Sequence, residues 1–415
     1  MGRGLFATST VFRNTVLELD AVHKQAAGYS LIERYGLFSG EGKDPFGDVW
    51  PIAVTLPSLA ILHIALYDTL IALGVKPDIV IGHSAGETSV LYASGSGSKK
   101  LAVELAVARG KAMSLLEDKN GTMAAVSCSP EEAESIIAEV RKEIGPGSLE
   151  IGCYNTPGSI TLSGSAPHID LAVAKATEAG IFARRLRTRV PVHSAMMELC
   201  GPTYKELSAE VFKNHTTVKP TVKTFTTLNG EYSEEAFTSE YFWDSTRGPV
   251  KFTQAMQALT AKYHGATFLE IGPHPVLVSY LSTLAGKESA VTCPLKRSKT
   301  RDPAAETLGL LESLGKLVVA GHNTINFDIL YKGLGEGREP PLSFPLARKD
   351  VSYHGESLLI TKQNQQRNGP MNYPMLQMNS KTHPGLADHL IKDEPIMPAA
   401  GYVEMVRYLS MIPYI

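Results

Sequence analysis

Between Leu56 and Leu73 nearly every position is apolar, with Pro57 at the start of the run and Gly74 after its end. Proline is tolerated in a first helical turn and glycine favours the exit, so the pattern predicts a buried helix. A short run, Asp78–Ile81, follows and ends in Ile79-Val80-Ile81, which reads as a buried strand. Helical spacing returns over Lys100–Leu115, where Arg109 lies among Leu101, Leu105, Ala108 and Met113. An arginine in such a place ordinarily lays its stem on the apolar face and keeps its charge in water. Upstream, Thr10–Val22 and Tyr29–Tyr35 read as helices. An α/β domain usually opens on a buried strand, so this start predicts an element before residue 1.

From 122 to 187 the period changes. Strands are predicted at Thr122–Cys128, Leu149–Tyr154, Ser159–Ser163 and Phe182–Arg187, with helices at Pro130–Val140 and Ile169–Ala179. The order β-α-β-β-α-β is the ferredoxin-like arrangement, and elements of a larger unit flank it on both sides, so the pattern predicts an inserted subdomain. Its last strand and the residues just after it carry Arg184, Arg185, Arg187 and Arg189, which read as a solvated face or as a landing surface for an acidic or phosphate-bearing partner.

The strand at Ile79–Ile81 runs into Gly82-His83-Ser84-Ala85-Gly86 and then into helical spacing. Strand, sharp turn and helix around G-x-S-x-G form a nucleophile elbow, which exposes the serine hydroxyl and leaves the Ala85 N–H free for an oxyanion. Residues without a Cβ allow the turn to close.

Composition narrows the class without choosing it. The chain has 415 residues, 43% of them hydrophobic, enough for two or three packed domains. A net charge of -2 gives no reason to expect nucleic acid or a membrane surface as partner. Cys128, Cys153, Cys200 and Cys293 are far apart, so neither a metal site nor a disulfide framework is expected. No apolar run reaches the ~20 residues of a membrane span and no signal peptide is evident, which points to a cytoplasmic chain.

Five motifs together carry a resemblance: Ser84 in GHSAGE, Arg109 in ARGKAM 25 positions later, Asn155 in YNTPGSITLSG, His193 in VPVHSAMM, and Gly272-Pro273-His274-Pro275 after Phe268-Leu269-Glu270-Ile271. Over roughly residues 1–290 the chain resembles the malonyl-CoA:acyl-carrier-protein acyltransferase domain of fungal-type iterative, reducing polyketide synthases. The resemblance implies an α/β-hydrolase-like parallel sheet with the ferredoxin-like insertion. It implies Ser84 as nucleophile and His193 as general base and acid, with Ala85, Met113 and Asn155 beside the substrate. It also implies that the Lys251 carbonyl, in Arg247-Gly248-Pro249-Val250-Lys251-Phe252, orients the imidazole. Arg109 would grip the malonyl carboxylate with two parallel hydrogen bonds, which acetyl and longer neutral acyl groups cannot accept. No bound cofactor or metal is implied. Malonyl-CoA is the substrate, and the partners are a phosphopantetheine-bearing acyl carrier domain and neighbouring ketosynthase and dehydratase domains.

Two departures from that family stand out. Its domains open on a strand ending in Gly-Gln-Gly, a second oxyanion donor, and this sequence starts after it; Leu56 stands where a glutamine often faces the active site. The implied division is 1–121 and 188–290 for the large subdomain, 122–187 for the small one and 291–370 for a linker with a helix at Ala304–Val319. Residues 371–415 resemble the opening of a dehydratase hot-dog domain, with His389 and Pro398 on its motif and Asp393 where that motif has glycine. The dehydratase's partner carboxylate would lie beyond Ile415, which leaves His389 in an incomplete site. Two other readings stay open: a serine esterase or thioesterase with a late histidine such as His274, and an inactive docking module.

Overall fold

The computed structural model describes residues 2–40, 46, 47, 49–297, 304–326 and 329, with the backbone of 390, 391, 394 and 395. Three helices open the chain: α1 (Arg3–Thr8), α2 (Thr10–Ala27) and α3 (Leu31–Tyr35). Ser9 and Ser30 cap α2 and α3 by accepting the N–H of Phe12 and Glu33, the role expected of serine ahead of a helix. Buried Asp20 also accepts the Leu31 N–H at 2.7 Å, which fixes α3 onto α2.

Helix α4 (Ile52–Ala72) begins a turn earlier than Leu56, because Pro51 makes the break and Pro57 lies inside the helix. The bond that Pro57 cannot donate is offset by burial, since Leu56, Ile61, Leu62, Ile64 and Leu66 all enter the main core. Against expectation, α4 is long and apolar enough to cross a membrane by length and composition, but its buried face makes it the central helix of this core. It leads to β1 (Ile79–Ile81), α5 (Gly86–Ala93) and α6 (Lys99–Met113).

The insertion follows: β2 (Gly121–Val126), α7 (Pro130–Ile144), β3 (Leu149–Thr156), β4 (Ser159–Ser165), α8 (Ala166–Glu178) and β5 (Ala183–Arg185). Its strands form an antiparallel sheet in the order β3-β4-β2-β5, the ferredoxin-like order, over a separate core that includes Val126, Ile137, Leu149, Leu162 and Ile169. A capping box of Ser129 and Glu132 starts α7 with Pro130 in its first turn. The arginines at 184, 185, 187 and 189 are all exposed, and Arg185 pairs with Asp170 at 2.8 Å.

The chain then returns through α9 (Gly201–Lys213), β6 (Lys223–Thr226), β7 (Glu231–Ser233), α10 (Ser239–Arg247), α11 (Phe252–Lys262), β8 (Phe268–Leu269), α12 (Val278–Leu284), β9 (Val291–Thr292) and α13 (Ala304–Val319). β1 pairs in parallel with β6 and β6 antiparallel with β7, while β8 and β9 form a separate parallel pair. Among the described residues β1 is therefore an edge strand. The two subdomains are stitched together at Val250, whose N–H bonds the Gly152 carbonyl and whose carbonyl accepts the Tyr154 N–H, each at 2.8 Å.

One compact unit runs over Met1–Glu336, and within it the Glu306 carboxylate of α13 accepts the N–H groups of Gly2, Gly4 and Leu5 at the start of α1. A carboxylate there satisfies helix-terminal donors and complements the helix dipole. The second unit is Gly337–Ile415, where the described residues form one short antiparallel pair, Leu390–Ile391 with Glu394–Pro395. His389, Asp393 and Pro398 lie outside the described residues. Cys128, Cys153 and Cys200 are buried free thiols and Cys293 is a partly buried one.

The closest backbone approach in the small subdomain is at Gly164, where a Cβ would stand 2.0 Å from the Ser148 carbonyl oxygen. Gly164→Ala is expected to destabilise the protein by about 1–3 kcal/mol, read as a lower midpoint in urea or thermal unfolding.

Candidate active site

Ser84 sits on the turn between β1 and α5 with φ of 52°, a left-handed conformation that only a tightly packed turn imposes on a residue with a side chain. The packing explains Gly82: a Cβ at that position would meet the Glu87 backbone nitrogen at 2.8 Å and its Cα at 2.9 Å. The Gly86 and Glu87 N–H groups are taken by the carbonyls of His83 and Ser84. The Ala85 N–H has no acceptor among the described residues and is the donor available beside the serine.

His193 comes from the other side of the insertion, 109 residues away, and its Nε2 lies 2.7 Å from Ser84 Oγ. It too has positive φ, 64°, and its own N–H bonds the Thr246 carbonyl. Its Nδ1 faces the carbonyl of Gly248 at 2.8 Å. That contact corrects the expectation for Lys251. Lys251 caps α11, its carbonyl accepts the Ala255 N–H and its N–H goes to the Thr227 carbonyl, so its backbone is committed to starting the helix. Because a carbonyl can only accept, Nδ1 carries the proton and Nε2 is left as an acceptor for the serine hydroxyl.

Asn155, expected beside the substrate, is committed to other partners. It is buried on β3 with both amide atoms occupied: Oδ1 bonds His83 Nε2 at 2.9 Å and Nδ2 bonds Thr161 Oγ1 at 3.1 Å. It ties His83, the residue before Ser84, to the small subdomain. Met113 is likewise part of the main core, one turn beyond Arg109 on α6. His274, the late histidine an esterase would need, accepts the Arg297 N–H at 3.2 Å and is not the partner of Ser84.

Arg109 departs from the ordinary behaviour of its residue type. It is only 2% exposed, so its charge does not reach out to water, and its Nε has no hydrogen-bond partner. Among the described residues no carboxylate pairs with it. Sequence reasoning missed the carboxylate nearby in the fold: Glu87, on the first turn of α5, is 0% exposed. Its Oε1 accepts from Thr227 N–H at 3.0 Å and Thr227 Oγ1 at 2.6 Å, and its Oε2 from the Tyr241 hydroxyl at 2.9 Å. The only signal was an acidic residue closing GHSAGE, which by itself reads as ordinary first-turn complementation of a helix dipole.

Burial and the nearby positive charge set the state of the imidazole. Burial pushes the His193 imidazole down to about 3 from 6.5, the positive charge of Arg109 pushes in the same direction, and the bond to Gly248 opposes both. The imidazole is therefore neutral, the form that can accept a proton. Because the folded value lies below the unfolded one, the unfolded chain binds the extra proton first, and the stability held above pH 6.5 declines as pH falls toward 3. An NMR titration of the His193 ring is expected to show it neutral through pH 5, and Arg109→Met should raise its midpoint.

A family model described as "Acyl transferase domain" matches residues 1–323. The chain is 43% identical over 413 residues to the highly reducing polyketide synthase stpks1 of Strobilurus tenacellus; the match covers 98% of this chain and 15% of that protein. Its fold is similar to the acyltransferase domain from the second module of the salinomycin polyketide synthase, with TM-score 0.68, 28% identity, and 80% of this chain and 72% of that one covered. It is also similar to the acyl transferase domain of SpnD in complex with 2-(pent-4-yn-1-yl)malonyl, with TM-score 0.66, 26% identity, and 77% and 73% of the two chains covered. An elbow serine bonded to a neutral histidine, on a fold shared with these domains and over the residues the family model spans, identifies the chain as a member of the acyl transferase domain family.

Proposed function

We propose that this chain loads a malonyl unit from coenzyme A onto a phosphopantetheine-bearing carrier domain within a polyketide synthase, through an ester on Ser84. The observation that carries the choice of acyl group is Arg109, a buried cation with an unpartnered Nε and no carboxylate pair among the described residues. A malonyl thioester brings a free carboxylate to such a group, and a guanidinium can meet it with two parallel hydrogen bonds. The SpnD domain, similar in fold, is described in complex with a malonyl derivative.

The steps follow from the Ser84–His193 contact. As the Ser84 oxygen attacks the thioester carbonyl, its proton passes to His193 Nε2, and the Gly248 carbonyl holds the imidazolium that results through Nδ1–H. The tetrahedral oxyanion is met by the Ala85 N–H. Collapse breaks the carbon–sulfur bond, and the Nε2 proton goes to the departing coenzyme A thiolate. In the second half the carrier's thiol gives its proton to Nε2 while its sulfur attacks the ester, and collapse returns the proton to Ser84 Oγ. No acidic third member is used.

The wider reading is that 1–121 and 188–290 form the large acyltransferase subdomain, 122–187 the small one, 291–370 a linker and 371–415 the start of a dehydratase domain. The chain spans about 15% of the length of the Strobilurus synthase that it matches, so ketosynthase and dehydratase neighbours belong to this proposal as well.

Mixing the protein with malonyl-CoA and measuring its intact mass should reveal a malonyl ester. Ser84→Ala should form none while unfolding near the wild-type temperature, and His193→Ala should slow ester formation by roughly 100-fold or more. Continued ester formation on the Ser84→Ala protein would remove the assignment. Arg109→Ala should weaken malonyl loading by on the order of 2–5 kcal/mol, as for loss of one partner of a desolvated charge pair, and acetyl loading far less. Equal losses for both acyl groups would show that Arg109 only supports packing.

A further inference from the structure

A buried carboxylate near a buried arginine ordinarily closes onto it, because each ion lacks water and finds its best substitute in the other. Glu87 and Arg109 do not do this. Both are buried, on the packed helices α5 and α6, and each feels the other's charge; burial pushes the Glu87 carboxyl up while the bonds from Thr227 and Tyr241 and the charge of Arg109 hold it down, and no ion pair joins the two. The reason is on the Glu87 side. Thr227 occupies Oε1 with two donors and the Tyr241 hydroxyl occupies Oε2, so the carboxylate is held by neutral groups from elsewhere in the fold. Those groups are themselves fixed. The Thr227 carbonyl accepts the Lys251 N–H, and Tyr241 packs edge-on against Phe237 and Phe242 with ring centroids 4.7 and 5.2 Å away.

We infer that Glu87 is a specificity-determining counterweight of the acyl site: tied back by Thr227 and Tyr241, it balances the charge of Arg109 without occupying its guanidinium, which stays free for an acyl group bearing a carboxylate. The inference rests on the proposed role of Arg109. Its physical basis is the difference in range between two forces. Coulomb attraction falls slowly with distance, whereas a hydrogen bond is lost within about an ångström, so a carboxylate held at one remove lowers the cost of the empty, buried arginine while leaving its N–H donors unspent. A direct Glu87–Arg109 pair would have to be broken by each incoming substrate. An arginine with no countercharge would capture any small anion.

The test measures binding without turnover, on the 415-residue chain carrying Ser84→Ala, with malonyl-CoA and acetyl-CoA titrated by calorimetry. Glu87→Gln can satisfy the same network: its amide oxygen accepts from Thr227, and its NH₂ donates to the Tyr241 oxygen, which can in turn donate to Thr226 Oγ1. With the countercharge gone, malonyl-CoA is expected to bind on the order of tenfold more tightly and acetyl-CoA about as before. Tyr241→Phe releases Oε2 toward the arginine and is expected to weaken malonyl-CoA by on the order of tenfold, again sparing acetyl-CoA.

An unchanged or lowered malonyl-to-acetyl preference in Glu87→Gln overturns the counterweight. Should that variant not fold, Tyr241→Phe decides alone, and equal weakening of both thioesters overturns the inference. Arg109→Ala separates the two levels. If it abolishes the malonyl preference while Glu87→Gln does not raise it, the counterweight fails and the carboxylate clamp stands. If the preference survives Arg109→Ala, or malonyl-CoA does not bind at all, both fall.

Discussion

The hydrogen bond between Ser84 Oγ and His193 Nε2 is what the rest of the architecture serves. Its partners are 109 residues apart, with a whole subdomain inserted between them, and each is held at positive φ, which costs of order 1–3 kcal/mol per residue. Such strain survives only where surroundings leave no alternative. For Ser84 these are the close packing of Gly82 on Glu87 and the tie from His83 to Asn155. For His193 they are two bonds to the segment that ends α10, from its N–H to the Thr246 carbonyl and from its ring to the Gly248 carbonyl. Val250 extends that segment into the small subdomain through Gly152 and Tyr154. The insertion is therefore part of what positions His193.

Much of this was legible along the chain because it is local. A strand, a Gly-flanked serine and a helix are contiguous, so the elbow could be read from period and turn chemistry, and the β-α-β-β-α-β unit could be read from alternating periods within 66 residues. What sequence reasoning missed depends on direction rather than order. Gly248 and Lys251 lie in one short motif, and which carbonyl faces the imidazole is decided by where α11 begins, since the helix takes the Lys251 carbonyl for its own first turn. Asn155 was legible from its motif, but its ties to His83 and Thr161 were not, since both partners are set by the fold. The start of α4 shifted because two prolines, Pro51 and Pro57, compete as the break, and burial of the apolar face let the helix run through the second.

The Glu87 network was the least legible feature and is the one most dependent on tertiary structure. Thr227 is 140 positions away and Tyr241 is 154, and neither has a motif of its own. Charge placement at this site is a property of three returning segments rather than of any one run of residues.

That placement bears on the proposed catalysis, because in it Arg109 would act on both ends of the reaction. Its charge is one of the forces holding the His193 imidazole well below its ordinary range, so in the empty site the base is secure in its neutral form but weak. A carboxylate set against the guanidinium cancels part of that field. In the proposed reaction the imidazole would then be a stronger base when an acyl group carrying a negative charge is in place, and would stay weak against a neutral acyl group, which leaves the field intact. Discrimination in the proposed reaction would have two sources: the hydrogen bonds that a carboxylate alone can accept from Arg109, and the stronger base that the same contact leaves behind. Both would depend on Glu87 being held off Arg109, since a direct pair would fill the guanidinium and quench the field before any substrate arrived.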